Sequence, residues 1–297
     1  MSVSEPTKSR AGRVRYGRRA LAGAVLSVFV SGSGGAALAS SSASNSVDVL
    51  YAGSLFDLMQ YQIGPAFLRA THDHLVGFAN GSKTLAAEIK DGTEVADVFV
   101  SAAPSVNREL EGATNGNWVS SYRVLGRSPL VLGYNPSSSF AAALRTSPWY
   151  NVVGRPGFLL GRTDPASDPK GVLAVTALRD AARRFDRPRL ATLATSASDV
   201  FTETSLVGEL EAGQLDAGFF YTVEASAAHL RTVALVGTRL AATFTVALVN
   251  RAPHRAAARA FVAFLLSAQG RAILSRNGIA PIAPTPAGLT SSSQPAP

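Results

Sequence analysis

Two Gly-Ser pairs, Gly53-Ser54 and Gly81-Ser82, each stand between a short apolar run of strand character and a segment with helical spacing. Glycine lets the backbone approach a ligand closely, a helix start offers unpaired N–H donors, and the serine adds a hydroxyl donor. Two such turns on one sheet edge would form a cradle for an oxyanion, whereas each taken singly reads as a turn glycine followed by an N-capping serine. Two acidic stretches add a second kind of chemistry. Asp164-Pro165 and Asp168-Pro169 share one loop ahead of a helical segment, and Glu203 stands at what reads as the first turn of a helix, Glu203-Thr204-Ser205-Leu206-Val207. Helix capping accounts for the first stretch and the helix macrodipole for the second when each is taken alone.

The elements that must position these residues follow a repeated grammar. Residues 47–51 predict a strand, Ala52-Gly53-Ser54 a turn, and residues 55–71 a helix with apolar positions at Leu55, Leu58, Met59, Ile63 and Phe67. The unit recurs as a strand over 75–79, a turn at Asn80-Gly81-Ser82, a helix over 83–91 and a strand over 96–101. Strands alternating with helices imply a parallel sheet covered on both faces, with a ligand site outside the carboxyl ends of its strands. Further strands are expected over 130–134, 157–161, 217–221 and 244–249, and helices over 172–184 and 206–211. A single long helix is expected over 255–275, its apolar face formed by Ala258, Phe261, Val262, Leu265, Leu266 and Ile273. The expected fold class is α/β, with two parallel-sheet lobes joined by two crossings. Lobe 1 takes 47–129 and 244–289, and lobe 2 takes 130–243.

The ends carry a different message. Residues 1–39 have the grammar of an export signal: a basic stretch ending in Arg18-Arg19, an apolar run from Ala20 to Val30, and Ala37-Leu38-Ala39 before the expected cleavage point. The run is about half the length that a bilayer-spanning helix needs, so the mature chain is expected outside the cytoplasmic membrane and soluble. The paired arginines leave the general and the twin-arginine export routes both open. Lys8, Arg10, Arg13, Arg15, Arg18 and Arg19 leave with Glu5, so the formal net charge falls by five, from +8 to +3. No clustered basic face remains, and no nucleic-acid partner is expected. The absence of cysteine excludes disulfides and a lipid-modified cysteine. Four histidines, with only His72 and His74 close together, give no zinc pattern, and His72-Asp73-His74 reads as an exposed loop. Residues 40–46 and 290–297, rich in Ser and Pro, read as disordered flanks. Trp118, Trp149, Tyr150 and Phe158 read as packing residues, and Arg183, Arg184, Arg187 and Arg189 as a solvated helix end.

Taken together, Tyr51-Ala52-Gly53-Ser54-Leu55, Asn80-Gly81-Ser82, Ala96-Asp97-Val98-Phe99-Val100-Ser101, the 163–171 loop, Glu203 and Leu215-Asp216-Ala217-Gly218-Phe219-Phe220-Tyr221 resemble the periplasmic molybdate/tungstate-binding proteins of ABC transporters. The resemblance runs from about residue 47 to residue 283 and is nearest to the tungstate-binding branch. It implies the two-lobed periplasmic-binding-protein fold of type II, a monomer, and capture of molybdate or tungstate for an ABC transporter membrane permease. No other cofactor is expected. Residue by residue, it gives anion-donor roles to Ser54 and Ser82, an aromatic hydrogen-bonding role to Tyr221, and to Asp168 and Glu203 the role of carboxylate ligands to the metal centre of the anion. The chain departs from the family where Asp-Pro-Cys-Gly-Tyr-Arg is usual, since Asp168-Pro169 is followed here by Lys170-Gly171-Val172-Leu173. The segment from Arg184 to Glu203 is also shorter, and Asp164 rivals Asp168 as the loop carboxylate.

Two carboxylates facing a dianion repel it unless they are protonated or bonded to its central atom. Molybdenum and tungsten accept such extra oxygen ligands and sulfur does not, so this pair would reject sulfate by charge. The other readings are a binding protein for sulfate or phosphate, and an exported hydrolase with Ser54 as nucleophile. Against the hydrolase, Ala52-Gly53-Ser54-Leu55 lacks the Gly-x-Ser-x-Gly elbow, and no histidine stands in a comparable turn.

Overall fold

The computed structural model describes residues 46–282. The expected signal over 1–39, the flank apart from Ser46, and the tail over 290–297 lie outside the described residues.

Nine strands are present among the described residues: β1 (Ser46–Ala52), β2 (His74–Asn80), β3 (Val98–Ser101), β4 (Val119–Tyr134), β5 (Leu160–Thr163), β6 (Val200–Phe201), β7 (Ala217–Tyr221), β8 (Arg231–Ala234) and β9 (Ala241–Val249). They run in the order β2-β1-β3-β9-β4-β7-β5-β6, with β8 paired to β4. One arrangement occurs twice. β1 lies parallel to β2 and β3, with β9 antiparallel beside β3. β5 lies parallel to β6 and β7, with β4 antiparallel beside β7. Each group is thus a parallel trio centred on its first strand and flanked by one antiparallel strand. Within each trio all carboxyl ends point to one edge, so the turns that follow β1 and β2 gather at one edge of the first group and those that follow β5, β6 and β7 at one edge of the second.

β4 and β9 connect the two groups. The first part of β4 pairs with β9 as far as Pro129↔Ala241, and Leu130–Tyr134 pairs with β7. The strand expected over 130–134 therefore begins eleven residues earlier. Ser120, Ser121, Gly126 and Pro129, together with register shifts between Val119 and Tyr122 and between Val124 and Gly126, hide its alternation. The strand expected over 157–161 lies instead at Leu160–Thr163.

Two helices also differ from expectation. The segment after β1 is helical throughout, but it passes through a 3-10 turn (Gly53–Leu55), an α turn (Phe56–Leu58) and a π turn (Met59–Ile63) before the regular helix Gly64–Thr71. Pro65 has no N–H to donate, and the ladder widens just ahead of it. The helix expected over 255–275 is two helices, Arg255–Leu266 and Ala268–Arg276, bent by 60°. Ser267 breaks it by adopting an extended backbone, and its Oγ accepts the N–H of Gly270 at 3.1 Å, which caps the second helix.

The helix Arg255–Leu266 packs back on the first group, where Phe261 and Phe264 lie 5.1 and 5.7 Å from the Phe67 ring. Asp97, fully buried, fixes its start: Oδ1 accepts the N–H of His254 and Oδ2 accepts the N–H of Asp48 on β1. In the second group, Trp149 packs edge-on against Phe219 of β7, and Tyr150 stacks on Phe185. His72 ends its helix in the left-handed region and is exposed, as is His74 at the start of β2.

Candidate functional site

Ser54 follows β1 and Ser82 begins the helix Ser82–Asp91 after β2, and both are buried. Neither side chain caps its helix. Ser82 Oγ instead accepts the N–H of Ala102 beyond β3 at 3.1 Å, which leaves its own proton to donate. Ser54 Oγ has no hydrogen-bond partner among the described residues.

The loop after β5 crosses to meet the second of these turns. Ser167 O accepts the N–H groups of Lys83 and Thr84 at 3.2 and 3.4 Å, and Lys83 Nζ donates to Pro165 O at 2.8 Å. Gly81 permits this approach, since a Cβ there would lie 2.5 Å from Ser167 O and 3.3 Å from Asp168 Cβ. Within the loop the two Asp-Pro carboxylates do different things. Asp164 turns back on its own segment, where Oδ1 accepts the N–H of Ala166 at 2.9 Å. Asp168 is buried and, rather than capping the helix Pro169–Arg184, accepts the Thr163 hydroxyl on Oδ2 at 2.6 Å.

Glu203 is not in the first turn of a helix, because the helix that follows is Leu206–Glu211 and its first-turn acid is Glu209. The macrodipole therefore does not account for it. Its stem leans on the backbone of Gly53, so closely that a Cβ on that glycine would collide with Glu203 Cγ. This contact joins the turn after β6 to the turn after β1, as the Gly81 contact joins the loop after β5 to the turn after β2. Tyr221 ends β7, fully buried, with its ring edge-on to Phe244 at 5.8 Å and its Oη without a hydrogen-bond partner among the described residues.

A buried lysine organises the charges. Lys170 Nζ donates to both oxygens of Glu224, at 2.8 and 2.7 Å, and lies 3.2 Å from Glu203 Oε1. Burial opposes its charge, but Glu203, Glu224 and Asp168 more than offset that and hold its pKa above the ordinary lysine value. Burial, and then the neighbouring Asp168 carboxylate, push Glu203 well above the usual carboxylate range against the pull of Lys170. Burial followed by the charges of Asp168, Glu203 and Glu224 pushes the Tyr221 hydroxyl well up, so it stays a protonated donor. Both Glu203 oxygens accept no hydrogen bond from the described residues.

Ser54 and Glu203 open onto a cleft of about 540 Å³, whose mouth is lined by Phe56, Tyr61, Glu211 and His229. Ser82, Asp168 and Tyr221 lie off this lining, buried. His229 shares the cleft with Ser54, but no hydrogen bond joins it to Ser54 Oγ.

A family described as bacterial extracellular solute-binding protein matches residues 47–280. The chain belongs to that family. Its members are solute-binding proteins rather than a class of enzymes, and the family implies export. A Haloferax volcanii protein provisionally named an ABC transporter molybdenum-binding protein is 29% identical over 176 residues, which are 59% of this chain and 54% of that relative. This solute-binding protein therefore spans about half the length of that relative. The molybdate/tungstate-binding protein WtpA of Pyrococcus abyssi is 23% identical over 251 residues, covering 67% of this chain and 72% of WtpA. The periplasmic molybdate-binding protein of Azotobacter vinelandii superposes with a TM-score of 0.60 at 17% identity, over 80% of this chain and all of that one. That likeness shows the fold, which is the α/β fold of periplasmic binding proteins.

Sequence reasoning missed two residues of the cluster in this solute-binding protein, Lys170 and Glu224. Lys170 stands where the resemblance lapses, and a lysine at the second position of an amphipathic helix reads as solvated. Glu224 stands in the first turn of the helix Thr222–Ala227, a place where an acidic residue is ordinary.

Proposed function

We propose that this solute-binding protein captures molybdate or tungstate where the turns of its two strand groups meet and delivers it to the membrane permease of an ABC importer. The observation that carries the reading is the set of buried polar atoms without hydrogen-bond partners among the described residues, Ser54 Oγ, Tyr221 Oη and both oxygens of Glu203. Buried polar atoms in folded proteins are nearly always hydrogen-bonded, so their recurrence here, with Ser54 and Glu203 on one cleft and Tyr221 buried off its lining, supports a ligand.

The donor set fits a tetrahedral oxyanion with a metal at its centre. Ser54, Ser82 and Tyr221 supply hydroxyl protons to the anion's oxygens. Asp168 and Glu203 supply carboxylate oxygens to the central atom, which molybdenum or tungsten accepts and sulfur or phosphorus does not. With Glu224 they put three carboxylates around one ammonium, which is unfavourable for a sulfate held only by hydrogen bonds. The names of the Haloferax and Pyrococcus relatives agree with this choice of cargo. The two strand groups act as the lobes, and binding draws them together about β4 and β9 through the Gly53–Glu203 and Gly81–Ser167 contacts.

X-ray absorption at the tungsten edge of the tungstate complex tests the coordination. More than four oxygen neighbours are expected. A four-oxygen tungstate identical to the free ion would remove the carboxylate roles of Asp168 and Glu203.

A further inference from the structure

Lys170 is completely buried at the second residue of the helix Pro169–Arg184, and it touches carboxylates from two other elements. Both oxygens of Glu224, from the helix Thr222–Ala227, lie within 2.8 Å of Nζ, and Glu203 Oε1, from the turn after β6, lies at 3.2 Å. The Phe220 ring, its centroid 5.3 Å from Nζ, covers the ammonium on another side.

The two carboxylates are held differently. Glu224 is paired through both oxygens with Lys170. Glu203 accepts no hydrogen bond from the described residues, and among them Lys170 is its only ion-pair partner. Its stem rests on Gly53 of the other strand group. Glu224 thus anchors the ammonium, and the ammonium, beside the neighbouring Asp168 carboxylate, fixes where the Glu203 carboxylate points.

We infer that Lys170 is a positioning residue that sets anion selectivity: anchored on Glu224, it holds Glu203 against Gly53 as an oxygen donor, favouring anions whose central atom accepts an extra oxygen over sulfate. This rests on the molybdate and tungstate reading of the same site. An unclamped carboxylate would be free to turn away from the anion, and the extra bond would be lost while the hydroxyl donors remained.

The test is the chain carrying Lys170→Met together with Glu224→Met, because replacing both members of a buried ion pair by apolar residues of similar volume leaves many proteins folded. Thermal unfolding verifies the fold; should this pair not fold, Lys170→Gln with Glu224→Gln removes the same charges and keeps a hydrogen-bonded contact. Calorimetry with tungstate and with sulfate, and X-ray absorption at the tungsten edge, are then compared with the unaltered chain. Tungstate affinity should fall at least about tenfold, sulfate affinity should not fall, and the number of oxygens around tungsten should drop. Unchanged tungstate affinity in a folded double variant would overturn the inference. Equal weakening of both anions would also overturn it, by marking the pair as structural. Failure of the unaltered chain to bind tungstate is a separate result that removes the parent reading instead.

Discussion

The turns after β1 and β2 contribute neutral donors to the proposed site, Ser54 and Ser82, each beside a glycine that lets another segment come close. The β5, β6 and β7 side contributes the buried charges, Asp168, Lys170, Glu203 and Glu224, with the protonated Tyr221 among them. One topology, a parallel trio with an antiparallel flank, therefore yields two chemically different faces. A hydroxyl on a turn recognises any tetrahedral oxyanion, whereas a carboxylate is tolerable beside a dianion only if it bonds to the central atom. Affinity for the class should lie on the first side and choice within the class on the second.

The sharpest break in that comparison is in stability. Lys170→Met leaves Glu224 buried and unpaired, and urea unfolding should show a loss of about 3–5 kcal/mol. Ser82→Ala removes one neutral hydrogen bond, the one accepted from Ala102, and should cost about 1 kcal/mol. Equal losses would mean that the two faces do not differ as described.

Binding separates the faces next. Asp168→Asn and Glu203→Gln keep size while weakening the oxygen donor, so tungstate and molybdate should each bind at least about tenfold more weakly. Sulfate, no longer repelled, should bind no worse. Ser54→Ala should weaken all the anions alike, by roughly fivefold, the effect of one net hydrogen bond of about 1 kcal/mol. Calorimetric titration of the three variants reads both patterns, and a selective effect of Ser54→Ala would reverse the assignment.

How far these faces were legible in the sequence follows from the range of the interactions behind them. The glycine-serine turns, the first parallel trio and the strand at Ala217–Tyr221 rest on local pattern, and the reading from residues 47 onward found them, whereas the two-residue β6 of the second trio was not expected. Capping was the plain explanation for Ser54, Ser82 and Asp168, but none of them caps a helix: Ser82 pairs with Ala102, Asp168 with Thr163 of its own loop, and Ser54 Oγ has no hydrogen-bond partner among the described residues. Lys170 and Glu224 could not be found locally, because they stand 54 residues apart and each alone looks like a solvated helix residue. The start of β4 was hidden for another reason: it is a connecting strand with Ser, Gly and Pro in it, stabilised by pairing with β9 rather than by its own alternation.

The smallest expected effect concerns pH. The Glu203 pKa is raised in the folded chain above its ordinary value of 4.5, so its favourable contribution is complete below that value and is lost as pH rises through the folded pKa. Without ligand, Glu203→Gln should therefore melt at the parent's temperature near pH 4.5 and above it at about pH 8. Ser54→Ala should show the same offset from the parent at both pH values. A pH-independent offset for Glu203→Gln would indicate that the carboxylate is not strained by its burial.

Most direct is calorimetric titration of the chain from Ser40 onward with tungstate, molybdate, sulfate and phosphate under one buffer condition. The neutral donors together with the paired carboxylates require tungstate and molybdate to bind tightly, and sulfate and phosphate to bind at least about a hundredfold more weakly. Sulfate or phosphate binding as tightly as tungstate would contradict the account, since Asp168 and Glu203 would then face an anion with which they can form no bond.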